Sequence, residues 1–265
     1  MYGFDYQRPA SRDAAKAAVG GADARYLAGG QSLIQAMRLR LSQSERLVDL
    51  GGIADLKAIK VDASGVTLGA MATHASVAAN ADVRRAIPAL AELAGGIGDP
   101  MVRNMGTIGG SIANADPAAC YPAAVLGLNA TVHTDRRTIA ADAFFTGLYE
   151  TALQPGELIT AISFPTPQKA AYEKYKQPAS RFALIGVFVA QTAGGVRVAV
   201  TGAKAHVFRA TQIEQALATS FTPEAAKAVK MPTAEVNADL HGSAEYRAAM
   251  ISVIASRAVA AALAR

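Results

Sequence analysis

Two glycine pairs hold the residues best suited to chemistry. Gly29-Gly30 lies within Leu27-Ala-Gly-Gly-Gln-Ser-Leu33, and Gly109-Gly110 within Thr107-Ile-Gly-Gly-Ser-Ile-Ala-Asn114. A phosphate is held by backbone N–H groups that converge on it with no side chain in the way. Glycine allows both the turn and the close approach. A helix starting just after such a loop adds free amides and the positive end of its dipole. Ser32 stands where it could cap a helix running from Leu33, and its hydroxyl can also donate to a phosphate oxygen. Around the second pair, Thr107, Ser111, Asn114 and Asp116 bring hydroxyls, an amide and a carboxylate onto an otherwise apolar stretch of Ile108, Ile112, Ala113 and Ala115. That is the density of polar groups that orients a nucleotide. Each loop alone also reads as a strand–helix turn or an Asx-turn satisfying its own backbone. Together they predict two walls closing on one polyanion, the pyrophosphate of a dinucleotide. The Rossmann pattern Gly-x-Gly-x-x-Gly with a later ribose-binding acid is absent, and so is the Gly-Lys-Ser/Thr of a P-loop.

The elements that must position these loops follow from periodicity and breakers. A compact α/β unit fills the first fifty residues: a helix over Ser11–Val19 capped by Ser11, a strand over Arg25–Ala28, a helix over Leu33–Leu41 and a strand over Leu47–Leu50. Val66–Met71 reads as a strand, and Ser76–Arg84 and Pro88–Leu93 as alanine-rich helices. Gly95–Thr107 is too rich in Gly and Pro for an element interior. Ala130–His133 and Thr138–Ala141 form a hairpin, and Leu158–Phe164 a strand ended by Pro165. Composition shifts near Thr166–Lys169. Beyond it, Phe182–Gln191 and Val196–Thr201 make an antiparallel hairpin, and Thr211–Leu217, Pro223–Lys230 and Ala244–Ala264 are helices. The last carries Met250, Val253, Ile254 and Ala258 as a core stripe.

Bulk composition narrows the function class. The chain has 265 residues, 51% hydrophobic and 18% charged, with a net charge of +5. Its 26 Lys and Arg are spread along the chain, without the one-sided basic face interleaved with aromatics that nucleic acid requires. The single cysteine, Cys120, excludes an internal disulfide and any thiolate-held cluster or structural zinc from this chain alone. The four histidines, His74, His133, His206 and His241, are far apart in sequence. No basic stretch leads into an apolar one at the N-terminus. The longest apolar runs, Phe182–Ala190 and a C-terminal stretch broken by Arg257, fall short of the roughly 20 residues of a membrane span. The expectation is a soluble, cytoplasmic protein without membrane insertion.

Three segments resemble one family: Ala28–Leu33, Arg103-Asn-Met-Gly-Thr-Ile-Gly-Gly-Ser-Ile-Ala-Asn-Ala-Asp-Pro117, and Tyr172-Glu-Lys-Tyr-Lys-Gln-Pro-Ala-Ser-Arg-Phe182. They are similar, in order and spacing, to the medium, FAD-binding subunit of the molybdenum hydroxylases, which include carbon monoxide dehydrogenase and the xanthine dehydrogenases. The resemblance covers essentially the whole chain. It implies an α+β fold with a PCMH-type FAD-binding domain over residues 1–168, made of two α/β subdomains (about 1–55 and 56–168). A smaller α+β domain with an antiparallel sheet follows over 169–265. It implies that Ala28, Gly29, Gly30, Gln31, Ser32 and Leu33 hold FAD from one side and Thr107, Gly109, Gly110, Ser111 and Asn114 from the other. Ile97 and Gly98 would lie against the cofactor, and Ile159 and Lys176 near the isoalloxazine ring. Relatives often carry Asp where this chain has Cys120. The hydrogen bond to flavin is then lost or passes to Asp116, with Cys120 read as a small buried hydrophobe. The function implied is electron transfer from [2Fe–2S] clusters of one partner, fed by a molybdenum-cofactor partner, in a dimer of heterotrimers. A self-sufficient flavin oxidase and a non-catalytic nucleotide-binding module remain the alternatives.

Overall fold

The computed structural model describes residues 1–20 and 23–265. Its first layer is a parallel sheet in the order β1-β3-β2, formed by β1 (Asp5–Gln7), β2 (Ala24–Leu27) and β3 (Arg46–Asp49). Helix α1 (Arg12–Val19) starts at Ser11, whose Oγ accepts from the Ala14 amide at 3.2 Å, the bond a serine cap supplies. Ala15 and Val19 of α1 bury against Val48, Leu50, Ile53 and Leu56. Met71 and Leu158 of the next layer complete that cluster, so the two layers share a core. Helix α2 (Leu33–Arg38) ends before the expected Leu41, because Arg40 takes a left-handed conformation at φ 59°.

The second layer is a five-stranded antiparallel sheet, β4-β5-β10-β6-β7. Its strands are β4 (Ile59–Asp62), β5 (Gly65–Gly69), β6 (Thr131–Thr134), β7 (Thr138–Ala140) and β10 (Ile159–Phe164). Between β5 and β6 run α3 (His74–Ala79), α4 (Ala81–Ala86), α5 (Pro88–Gly95), α6 (Pro100–Met105), α7 (Ile108–Asn114) and α8 (Tyr121–Gly127). A short helix α9 (Ala141–Phe144) and the ribbon β8 (Phe145–Gly147) and β9 (Glu150–Thr151) lead to β10. Two expectations change here. The single helix over Ser76–Arg84 is broken at Asn80, which is extended (φ −68°, ψ 120°). Its Oδ1 accepts from the Asp82 and Val83 amides and starts a new helix. The Gly- and Pro-rich Gly95–Thr107 stretch contains α6, because Asp99 caps it (Oδ1 to the Val102 amide, 2.9 Å) and Pro100 fits a first helical turn.

The third layer is the antiparallel sheet β11-β12-β13-β14, with β11 (Lys169–Lys176), β12 (Ala183–Thr192), β13 (Gly195–Thr201) and β14 (Phe208–Arg209). Helices α10 (Thr211–Thr219), α11 (Pro223–Ala228) and α12 (Ala244–Leu263) follow. Strand β12 is buried on both faces. Ile185, Val187 and Val189 pack on the helices, while Phe188 and Ala190 join the core of the second layer, as a side-chain period of two requires. Helix α12 runs unbroken through the exposed Arg257 for 20 residues. It thus has the length and apolarity of a span, contrary to the sequence expectation. It packs on β11 and β12 and buries Ile251, Ile254, Ala255, Ala258 and Val259.

Candidate functional site: a cleft between two glycine loops

The two glycine pairs meet. A Cβ at Gly29 would overlap the Met105 carbonyl and stand 2.9 Å from the Gly106 Cα, on the turn that leads into α7. Only glycine lets the first loop lie on that turn. At Gly109 a Cβ would stand 2.6 Å from both the Cβ and carbonyl oxygen of Ala70, so the start of α7 rests directly on the end of β5. The second pair is therefore the first turn of a helix and not a free loop. Thr107 caps it, its Oγ1 accepting from the Gly110 amide at 3.2 Å.

The amides at the two pairs have different fates. In α7, Ile108 donates to Ala72 O (3.1 Å), Gly109 to Ala70 O (2.8 Å) and Ser111 to Thr107 O (3.0 Å), and Gly110 donates to its cap. These N–H groups are not available to an anion. The amides of Gly29, Gly30, Gln31, Ser32 and Leu33 have no protein acceptor among the described residues. Gly30 has φ +70°, the left-handed turn that successive amides need to face one concavity. Ser32 does not cap α2 as its position suggested. Its backbone is helical (φ −114°, ψ −53°) and its hydroxyl makes no capping bond.

Between these walls lies a cleft of about 440 Å³. Ala28 to Leu33 line one side and Thr107, Gly109, Gly110, Ser111 and Asn114 the other. Ile97, Gly98, Asp116, Cys120 and Ile159 line it as well. Lys176 does not. The β11–β12 register shifts between Tyr175 and Lys176. Lys176 is exposed and lines an adjoining pocket of about 400 Å³ with Arg103 and Arg181. Lys174 is the lysine in the cleft. Its Nζ donates to Gly96 O (2.9 Å) and Arg181 O (3.0 Å) and lies 3.3 Å from Cys120 Sγ. Cys120 is 5% exposed and belongs to the core of the second layer. Asp116 is tied to its own turn, Oδ1 accepting from the Ala118 amide at 2.8 Å, with the Tyr149 hydroxyl on Oδ2 at 3.4 Å.

Two lining residues gave no signal in the sequence. His74, at the start of α3, is 5% exposed, and its Nδ1 has no hydrogen-bond partner among the described residues. Burial, reinforced by the nearby Arg103 charge, holds its imidazole down to about 4, so it is neutral at physiological pH. Glu157 is held by Arg137 (Nε to Oε1, 3.0 Å; a second nitrogen to Oε2, 3.1 Å), with the Thr134 hydroxyl and the Gln154 amide each at 2.8 Å. Its carboxyl sits at about 2, chiefly through the Arg137 hydrogen bonds, offset in part by burial. Arg137 cancels that charge, so Glu157 does not repel an anion in the cleft.

The donor set fits a diphosphate carrying flat ring systems. Unpaired amides with Arg25 on one wall suit the phosphates. Ile97, Leu153, Leu158, Ile159 and Phe182 offer an apolar surface to a ring, and the orphaned His74 Nδ1 offers a buried polar contact.

The chain is similar to known proteins over nearly its whole length. The family described as "FAD binding domain in molybdopterin dehydrogenase" matches residues 2–167. The carbon monoxide dehydrogenase medium chain of Hydrogenophaga pseudoflava is 36% identical, covering 99% of this chain and 98% of its own. The nicotine 6-hydroxylase medium subunit of Paenarthrobacter nicotinovorans is 34% identical over 98% and 97%. Among solved structures, the carbon monoxide dehydrogenase of H. pseudoflava superposes with a TM-score of 0.88 over 98% of this chain and 97% of that one. Quinoline 2-oxidoreductase from Pseudomonas putida 86, at 28% identity, superposes with the same score over the same shares. The mixed α+β fold expected from the sequence is the fold of these neighbours. The chain therefore belongs to the family of FAD-binding domains of molybdopterin dehydrogenases, flavin-binding components of oxidoreductases.

Proposed function

We propose that this chain is the electron-transfer subunit of a molybdenum hydroxylase complex, seating FAD in the cleft between Gly29-Gly30 and Gly109-Gly110. The observation that carries the reading is the row of unpaired amides from Gly29 to Leu33 facing the capped, fully bonded start of α7 across one cleft. Bound FAD would supply two-electron chemistry, taking electrons from the [2Fe–2S] clusters of a small partner and delivering them to an external acceptor.

In this reading the first loop grips the diphosphate with its amides, assisted by the Ser32 hydroxyl. Ser111 and Asn114, one helical turn apart on α7, orient the cofactor from the facing wall. Ile97, Gly98, Ile159 and Cys120 border the ring end, with Asp116 beside them. The resulting division is 1–168 for FAD and 169–265 for a smaller α+β domain, whose β11–β12 loop supplies Arg181 and Phe182 to the cleft. Substrate oxidation falls to a molybdenum-cofactor large subunit, and the assembly is a cytoplasmic dimer of heterotrimers.

The test is purification of the chain alone and with its partner chains, followed by visible spectroscopy. Flavin bands that the complex's substrate bleaches are expected. Absence of flavin after FAD addition and partner co-expression overturns the reading.

A further inference from the structure

We infer that Lys174 sets the reduction potential of the bound flavin, through a fixed positive charge that no carboxylate of the described residues cancels. The inference rests on the flavin reading above. An ammonium has three N–H groups, and at Lys174 they meet the Gly96 and Arg181 carbonyls and the Cys120 sulfur. The two carbonyls are neutral groups, and no carboxylate stands among the three acceptors. They satisfy the hydrogen bonds and leave the charge standing. They also come from three separate places in the chain: the turn after α5, the loop before β12 and the residue before α8. The ammonium is thus pinned on a side chain only partly exposed to water.

The carboxylates that line the same cleft are committed elsewhere. Glu157 belongs to Arg137, and Asp116 to the Ala118 amide and the Tyr149 hydroxyl. Beyond Lys174, Arg103, Lys176 and Arg181 line the adjoining pocket, and none of them is in an ion pair among the described residues. This end of the cleft is positive and stays positive. A fixed charge that is already in place favours whichever form of its neighbour is more negative. For an electron acceptor that is the reduced form, so the potential is raised.

Cys120 is part of the device because of what it is not. A carboxylate at that position, beside the Lys174 ammonium, would form an ion pair and remove most of the field.

The experiment is spectroelectrochemical titration of the FAD-loaded protein, in complex with its partners where these are needed for loading. Lys174→Met is expected to retain FAD and to weaken two-electron reduction at least about tenfold in equilibrium constant, a fall of about 30 mV. Lys174→Arg should restore the potential, and Lys176→Met should shift it less, its charge being exposed and screened. Cys120→Asp should lower the potential in the same sense as Lys174→Met while leaving the lysine and its two carbonyl contacts in place. It decides the question if Lys174→Met does not fold. Wild-type potentials in both Lys174→Met and Cys120→Asp overturn the inference. So does a shift in Lys176→Met as large as in Lys174→Met. A wild-type protein that takes up no flavin refutes the functional reading instead.

Discussion

At Gly29–Leu33 the backbone amides meet no acceptor among the described residues, while at Ile108–Ser111 every amide is already bonded within the protein. Both segments contain Gly-Gly followed by a small polar residue, and both line the same cleft. The difference lies in what the glycines touch. Gly29 lies on the Met105–Gly106 turn, and the chain after it swings free through the left-handed Gly30. Gly109 is pressed into Ala70, so α7 is welded to β5 and presents side chains instead of backbone. In the proposed reading one glycine pair builds the anion seat and the other the wall that faces it.

That division can be broken from either side. The largest effect is expected from Gly29→Val, whose side chain collides with backbone that cannot step aside. FAD content should fall to background, and stability by about 3 kcal/mol, read by absorbance and by thermal melting. Gly109→Ala should cost stability first, about 2 kcal/mol against the Ala70 contact, yet retain FAD below its lowered melting temperature. If Gly109→Ala loses FAD at full stability, α7 is a phosphate site after all. Glu157→Gln removes the carboxylate that Arg137, Thr134 and Gln154 share. A loss of about 2 kcal/mol at neutral pH is expected. That loss should shrink as pH falls from 4.5 toward about 2, because the native carboxyl is depressed and its contribution disappears through that window. Thr107→Val deletes only the α7 cap and should cost about 1 kcal/mol with FAD affinity little changed. A further effect is a pH slope. Neutral His74 resists protonation in the fold, so stability should decline as pH falls from 6.5 to about 4. His74→Gln should flatten that slope in urea titrations.

Much of this was legible in the sequence because it is local. The Ser11 cap, the strand ending at Pro165 and the apolar run of β12 are written within a few residues. Both glycine pairs line one cleft. They did not say that the second was helical, since Gly-Gly-Ser lowers helix propensity, and α7 is held by the Thr107 cap, the bonds to Ala70 and Ala72 and the buried Ile108 and Ile112. Lys174 and Lys176 are indistinguishable as sequence. The register shift after Tyr175 separates them, and the contact of Lys174 with Cys120 spans 54 residues. His74 reads only as one of four separated histidines until Tyr121 packs on it, the rings 5.3 Å apart, with the Arg103 charge nearby.

The central claim, that the bare amides of the first loop anchor the cofactor through its phosphates, is tested most directly by titrating the protein with FAD and with riboflavin. Riboflavin presents the same ring without the diphosphate. Removing charge-assisted hydrogen bonds to several amides should weaken binding at least about a hundredfold. Equal affinity for the two would place the anchor at the ring and contradict the account.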